Sequence, residues 1–178
     1  MTVEPSDLRH SFGLRGKSVR PGPPGGGRLL ADIGGTNARF ALQAGPEAPL
    51  EQQQVLACAD FPSVLDAVQH YLGSARGAAP EEAAFGIATS VDGDQVSMTN
   101  HHWSFSIDSL RRALGLSRLI VMNDFEALAR SLVLLQADER RWIGGEAGHT
   151  RSPIGLIGPG TGLGVGGLVP ELSLIHIS

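Results

Sequence analysis

Three short stretches hold residues that could do chemistry. The first is Asp32-Ile33-Gly34-Gly35-Thr36-Asn37, with an apolar run on either side. Glycines at 34 and 35 can take positive φ at little steric cost, so a tight turn there can aim backbone N–H groups at one anion. The Thr36 hydroxyl can bond a phosphate oxygen, and Asp32 can hold a divalent cation through water. The same letters also suit an ordinary hairpin turn. The second stretch is Asn123-Asp124, between the apolar run Arg118–Met122 and a helical pattern. Ligands of open α/β sheets bind at that kind of edge, although Asn and Asp also serve well as helix caps. The third is Gly158-Pro-Gly-Thr-Gly-Leu-Gly-Val-Gly-Gly167. Gly162, Gly164 and Gly167 satisfy G-x-G-x-x-G, but no helical pattern follows and no acidic residue lies about 20 residues on, so a dinucleotide fingerprint fails its context. Neither a P-loop nor the sequence set of a protein kinase is present. What remains is strand, Gly160-Thr161-Gly162 turn, strand: a second phosphate hairpin.

Periodicity gives the elements that must position these stretches. Leu29 to Leu42 reads as two strands joined at the Gly-Gly turn, and Gln52 to Ala59 as a third. Val64, Leu65, Val68, Tyr71 and Leu72 repeat at helical spacing, with Pro62 in the first turn and Gly73 as the stop. Ala83 to Ala88 is a short buried strand. Val91 to Asp94 is a turn and Gln95 to Thr99 a returning strand, which makes Asp92-Gly93 the tip of a hairpin. Ser106 caps a second helix whose apolar face is Ile107, Leu110, Ala113 and Leu114 and which Gly115 ends. After the Arg118–Met122 strand, a third helix carries Phe125, Leu128, Ala129 and Leu132 on one face. Ile154 to Ile157 is the last clear strand.

Composition bounds the function. A chain of 178 residues with 42% hydrophobic and 18% charged residues supports one well-cored domain. Residues 29–170 carry it. Residues 1–28, with Pro21, Pro23, Pro24, three successive glycines and scattered basic residues, read as a disordered extension, and 171–178 as a tail of foreign character. A net charge of -4 argues against nucleic acid as partner, and no stretch is long and apolar enough to suggest a bilayer partner. The single cysteine, Cys58, reads as a small buried residue and suits a reducing, cytoplasmic setting. His101 and His102, if in a strand, point to opposite faces and cannot share a metal, and His149 stands alone. Trp103 and Phe105 are core, or the wall of a ligand site.

The order of these pieces carries a resemblance. Ala31-Asp-Ile-Gly-Gly-Thr-Asn-Ala-Arg39, Gly93-Asp94 with Met98-Thr-Asn-His101 and Trp103, Val121-Met-Asn-Asp-Phe125, and Gly158-Pro-Gly-Thr-Gly-Leu-Gly164 together resemble bacterial-type glucokinase, of the hexokinase/actin-like ATPase superfamily. The resemblance implies an RNase H-like α/β fold, a mixed sheet with flanking helices, of which this chain supplies the N-terminal domain without the second. It implies ATP with Mg²⁺ as phosphoryl donor and glucose as acceptor at its 6-hydroxyl, the entry to glycolysis, in a parent able to form a homodimer. Carried over by position, Ala31, Asp32, Ile33, Gly34, Gly35 and Thr36 form the first phosphate motif, and Gly160, Thr161 and Gly162 the second. Asp32 would hold Mg²⁺ through water. Asn123 and Asp124 would bind the sugar, with Asp124 as catalytic base and Asn100 as a further sugar contact. An ordinary aspartate, with a pKa of about 3.9, is ionised at neutral pH, so such a base mainly orients the hydroxyl and accepts its proton late. Ser90 stands where the family commonly has Pro, and the family's Glu-Gly-Gly-His-type segment, later Glu and adenosine pocket have no counterpart here. The alternatives are therefore an inactive fragment and a non-catalytic sugar-sensing regulator on the same fold; a helix-turn-helix in Met1–Arg28 would favour the regulator, and none is seen. The sequence does not choose among hexoses.

Overall fold

Alternation builds the first two strands. In β1 (Gly27–Ile33) and β2 (Asn37–Gln43), Leu29, Ile33, Ala38 and Phe40 are buried while Asp32 and Arg39 face outward, as a period of two requires. They pair antiparallel, with Ile33 opposite Ala38 and Asp32 opposite Arg39. The computed structural model describes residues 26–77, 79–145, 152–159 and 163–169. The N-terminal extension through residue 25, His149, the Gly160-Thr161-Gly162 turn and the 171–178 tail lie outside those residues.

β3 (Leu50–Ala57) adds antiparallel to β2, whereas β4 (Pro80–Ile87) runs parallel to β1, and β7 (Arg118–Asn123) parallel to β4. The five-stranded mixed sheet has the order β3-β2-β1-β4-β7. Parallel neighbours need crossover connections, and helices supply them. α1 (Val64–Ser74) precedes β4 and buries Val64, Ala67, Val68 and Tyr71; α2 (Ile107–Ala113) precedes β7 and buries Leu110. The core gathers these side chains with Phe40, Phe85, Ile87 and Trp103. Tyr71 stacks on Phe40 with ring centroids 5.2 Å apart, and its hydroxyl donates to the Gln52 carbonyl at 2.9 Å. That bond anchors a bulged position of β3 where Gln52 takes a φ of 52°. Trp103 is core, its indole N–H satisfied by the Phe61 carbonyl at 3.0 Å.

The described residues fall into two compact units that divide between Asp124 and Phe125. The sheet, α1 and α2 belong to the first. The second contains α3 (Asp124–Ser131) from Phe125 onward and an antiparallel hairpin of β8 (Ile154–Pro159) and β9 (Leu163–Leu168), with Gly158 opposite Gly164. Ala129, Val133 and Leu168 are its buried centre. No helix among the described residues is long and apolar enough to cross a membrane.

Four local expectations change. Ser63, not Pro62, begins α1, its side chain accepting from the Asp66 N–H, and Gly73 lies inside the helix with open space around it. The left-handed residue comes later, at Gly77 with φ 114°. β3 stops at Ala57, because Cys58–Asp60 turns into a short 3₁₀ helix. Asp92-Gly93 is no hairpin tip: β5 (Gln95–Ser97) pairs forward with β6 (Ser104–Ser106) instead of back with β4. The reason is Asp94, whose carboxylate accepts the Ser106 hydroxyl at 2.5 Å and the Asp108 N–H at 2.9 Å, holding that turn onto the start of α2. Finally, His101 and His102 sit in the β5–β6 connection and not in a strand, so their rings come together at 4.2 Å.

Candidate active site

Strand direction sets where the candidate residues gather. β1, β4 and β7 are parallel neighbours, and Ile33, Ile87 and Asn123 occupy one row of their register. The turn after β1 and the Asn123-Asp124 pair after β7 therefore leave the same carboxyl edge. Two strand spacings, about 10 Å, separate them. That gap suits a phosphoryl group on one side and its acceptor on the other.

The first wall is the turn Gly34–Thr36. The Gly34 N–H donates to the Asn37 carbonyl at 2.9 Å, which closes the loop. Neither Gly34 nor Gly35 has a positive φ, contrary to the sequence expectation. Gly35 is needed for closeness instead. A Cβ there would lie 3.1 Å from the Asn100 Cβ and 3.4 Å from its carbonyl oxygen, tighter than the usual 3.5–4.0 Å carbon contact. The glycine thus lets the Asn100 loop reach the Gly34–Thr36 turn.

Cys58 braces this turn from below. Its N–H donates to the Thr36 carbonyl at 2.8 Å and its thiol to the Gly34 carbonyl at 3.4 Å. In a planar trans peptide the carbonyl and the next N–H point opposite ways. Pulling the Gly34 carbonyl toward Cys58 therefore turns the Gly35 N–H the other way, away from Cys58. Burial pushes the Cys58 thiol up from its ordinary pKa, against the smaller effect of its backbone hydrogen bond, so it stays a protonated donor. Thr36 itself is exposed. Asp32 is paired: its Oδ2 accepts from Arg39 Nη1 at 2.9 Å, both side chains being largely exposed. Hairpin register with Ile33 opposite Ala38 places Arg39 there, so the partner was readable once the turn length was known.

The second wall is Asn123, Asp124 and Asn100. Asn123 ends β7 and Asp124 begins α3; both are half-buried. The Asn123 Nδ2 donates to the Thr89 carbonyl at 3.1 Å. Asn100 is exposed, in the β5–β6 connection against Gly35. Together these residues offer amide donors and acceptors with one carboxylate, a set that recognises hydroxyls. Thr89 was missed by sequence reasoning, since a main-chain acceptor has no side-chain signature.

In the second unit, the hairpin expected around the Gly-Thr-Gly turn is present as β8 and β9, although the turn residues Gly160, Thr161 and Gly162 are not described. Phe125 explains two of the flanking glycines. A Cβ on Gly158 would come within 2.8 Å of its ring, and one on Gly164 would overlap the ring outright.

Similarity to known proteins runs through most of the chain. The family model described as Glucokinase matches residues 29–175. A glucokinase of Aromatoleum aromaticum is 59% identical over 143 residues, covering 80% of this chain and 43% of that protein. The crystal structure of a glucokinase from an Antarctic psychrotroph superposes with a TM-score of 0.70 at 32% identity, over 85% of this chain and 53% of that one. A ROK family glucokinase from Streptomyces griseus, solved with glucose and AMPPNP, shares the fold with a TM-score of 0.57 at 22% identity, over 83% of this chain and 46% of its own. The fold is thus that of the actin-like ATPases, as the resemblance implied. The chain spans about half the length of these relatives. With a family match across residues 29–175, the chain belongs to the glucokinase family.

Proposed function

We propose that this chain forms the phosphate-and-acceptor half of an ATP-dependent glucokinase, which transfers the γ-phosphoryl group of ATP to the 6-hydroxyl of glucose. The observation that carries the reading is the shared carboxyl edge of β1, β4 and β7, where a Gly-Gly-Thr turn faces an Asn-Asp pair. Phosphoryl transfer asks a protein mainly for alignment and for donors toward a polyanion, and these two walls supply both. The Gly35 N–H and Thr36 hydroxyl act on phosphate oxygens, with Gly160, Thr161 and Gly162 as the second phosphate turn by family resemblance. Asn123 and Asn100 hold sugar hydroxyls. As the O6–phosphorus bond forms, the O6 proton passes to Asp124, the bond from phosphorus to the β–γ bridging oxygen breaks, and ADP leaves with its electron pair.

The residues also fit Mg²⁺ in the manner the reaction needs. Asp32 is a single, largely exposed carboxylate at the end of β1, and among the described residues no three acidic, His or Cys side chains cluster. Mg²⁺ keeps most of its water and is held largely by phosphates, which suits Asp32 acting through water. When bound, the ion neutralises charge on the transferred group. A reaction fed by ATP and a single buried thiol both suit the cytoplasm.

The test is to incubate the purified gene product with ATP, Mg²⁺ and glucose and to identify the product by phosphorus NMR. Glucose 6-phosphate with an equal amount of ADP is expected. ADP without sugar phosphate, or phosphate at another hydroxyl, overturns the reading.

A further inference from the structure

Thr89 is a buried polar side chain. It follows β4, the strand between the one that carries the phosphate turn and the one that ends in Asn123-Asp124. The Ala88 N–H donates to the Ile33 carbonyl at 2.9 Å, and the Thr89 N–H folds back to the Ile87 carbonyl at 2.8 Å, so the backbone makes a tight three-residue turn there. Every remaining polar atom of Thr89 is then in use on the acceptor wall. Its carbonyl accepts from Asn123 Nδ2 at 3.1 Å. Its hydroxyl donates to the Ser97 carbonyl at 3.0 Å and lies 3.1 Å from the Thr99 hydroxyl. A hydroxyl has one proton to give, so with that proton on Ser97 the Thr99 hydroxyl is the donor of the second bond.

We infer that Thr89 is the positioning residue of the sugar wall, fixing the orientation of the Asn123 amide through its carbonyl and the loop bearing Asn100 through its hydroxyl. This rests on the reading that Asn123 and Asn100 contact the sugar. The carbonyl settles which end of the Asn123 amide is the donor toward β4, so Oδ1 takes the other side as an acceptor. The hydroxyl ties down Ser97 and Thr99, and Asn100 is the next residue. The phosphate turn receives no bond from the Thr89 side chain; Cys58 holds that turn. A change at Thr89 should therefore be felt by glucose and not by ATP.

The experiment measures glucose and Mg²⁺–ATP dissociation constants by calorimetry on the purified gene product, with the melting temperature of each variant as a folding check. Thr89→Val keeps the shape and removes the hydroxyl. Losing net hydrogen bonds worth about 0.5–1.5 kcal/mol corresponds to weakening of roughly two- to tenfold, and the expected result is that loss for glucose with ATP binding within about twofold of wild type. Thr89→Ser restores the hydroxyl and should restore glucose binding. Thr99→Val, at an exposed position that folding tolerates, should weaken glucose in the same direction. The inference is overturned if Asn123→Ala weakens glucose binding while both Thr89→Val and Thr99→Val leave it unchanged, or if Thr89→Val weakens both ligands equally. If Asn123→Ala itself leaves glucose binding unchanged, the reading of the sugar wall falls first and the role of Thr89 with it.

Discussion

Replacing Gly35 with alanine tests whether the two walls of the site are packed against each other. The new Cβ would lie 3.1 Å from the Asn100 Cβ. Ordinary carbon contacts begin near 3.5 Å, so one partner must move by about half an ångström. The Gly34–Thr36 turn is pinned by Cys58 at the Gly34 and Thr36 carbonyls, whereas the Asn100 loop is exposed and outside any strand, so the loop should yield. Overpacking in a core costs about 1–3 kcal/mol, and an exposed loop puts this variant near the low end. Function should suffer more than stability. Misplacement by 1 Å can cost about 100-fold in rate, so a shift of half that size predicts roughly a tenfold fall in kcat/KM for glucose. The KM for ATP should change little. Gly34→Ala is the control, since its Cβ meets only the Asn37 carbonyl oxygen at 3.4 Å. Steady-state kinetics with each substrate varied in turn decides the matter. Wild-type kinetics in Gly35→Ala, or a defect confined to ATP, would refute the close-approach argument.

Three further outcomes follow from particular contacts. Cys58→Val removes the thiol that donates to the Gly34 carbonyl and leaves that acceptor unpaired, which should lower stability by about 1–2 kcal/mol and weaken ATP binding; in the wild type a thiol reagent should react only on unfolding. Chemical denaturation and thiol titration check both. The Ser106 hydroxyl first, and then the Asp108 N–H, hold the Asp94 carboxyl below the usual carboxylate range. Its contribution to stability is therefore present above the ordinary carboxylate pKa of about 4 and is lost as pH falls through the lower folded value, so Asp94→Asn should flatten the acid limb of a melting-temperature profile. Gly164→Ala places a methyl where the Phe125 ring lies and should destabilise the second unit by about 1–3 kcal/mol or more, with partial recovery in Gly164→Ala/Phe125→Leu; equal melting temperatures for Gly164→Ala and wild type would contradict the overlap.

How far the sequence could be read depended on where the deciding interaction sits. The β1–β2 hairpin, the Ser106 cap and the β7 strand were legible because alternation, a hydroxyl at the N-cap and an apolar run act over neighbouring residues. The Asp92-Gly93 turn signal misled because Asp94 is bonded 12 residues away at Ser106, and that tie gives β5 a different partner. Gly73 misled in a milder way: an exposed helical glycine costs only about 1 kcal/mol, which the buried face of α1 outweighs. The candidate site shows the same division. Gly34, Gly35, Asn123 and Asp124 announce themselves by type and order. The reason for Gly35 lies at Asn100, the brace of the turn at Cys58 and the orienter of Asn123 at the Thr89 carbonyl, and each is a contact made only when distant segments fold together.

The central claim is that Asp124 takes the proton of the acceptor hydroxyl beside a phosphate turn that binds ATP independently of it. The most direct measurement compares wild type with Asp124→Asn, a change that keeps the shape of the side chain but replaces one carboxylate oxygen with an amide donor and so removes the base. Turnover is followed as glucose 6-phosphate formed, and ATP affinity is measured separately by calorimetry. Loss of a positioned base should lower kcat by about 100- to 10,000-fold, with ATP affinity within about twofold of wild type, well inside the 1.4 kcal/mol that a tenfold change represents. Turnover in Asp124→Asn close to that of wild type, with the same product, would contradict the account.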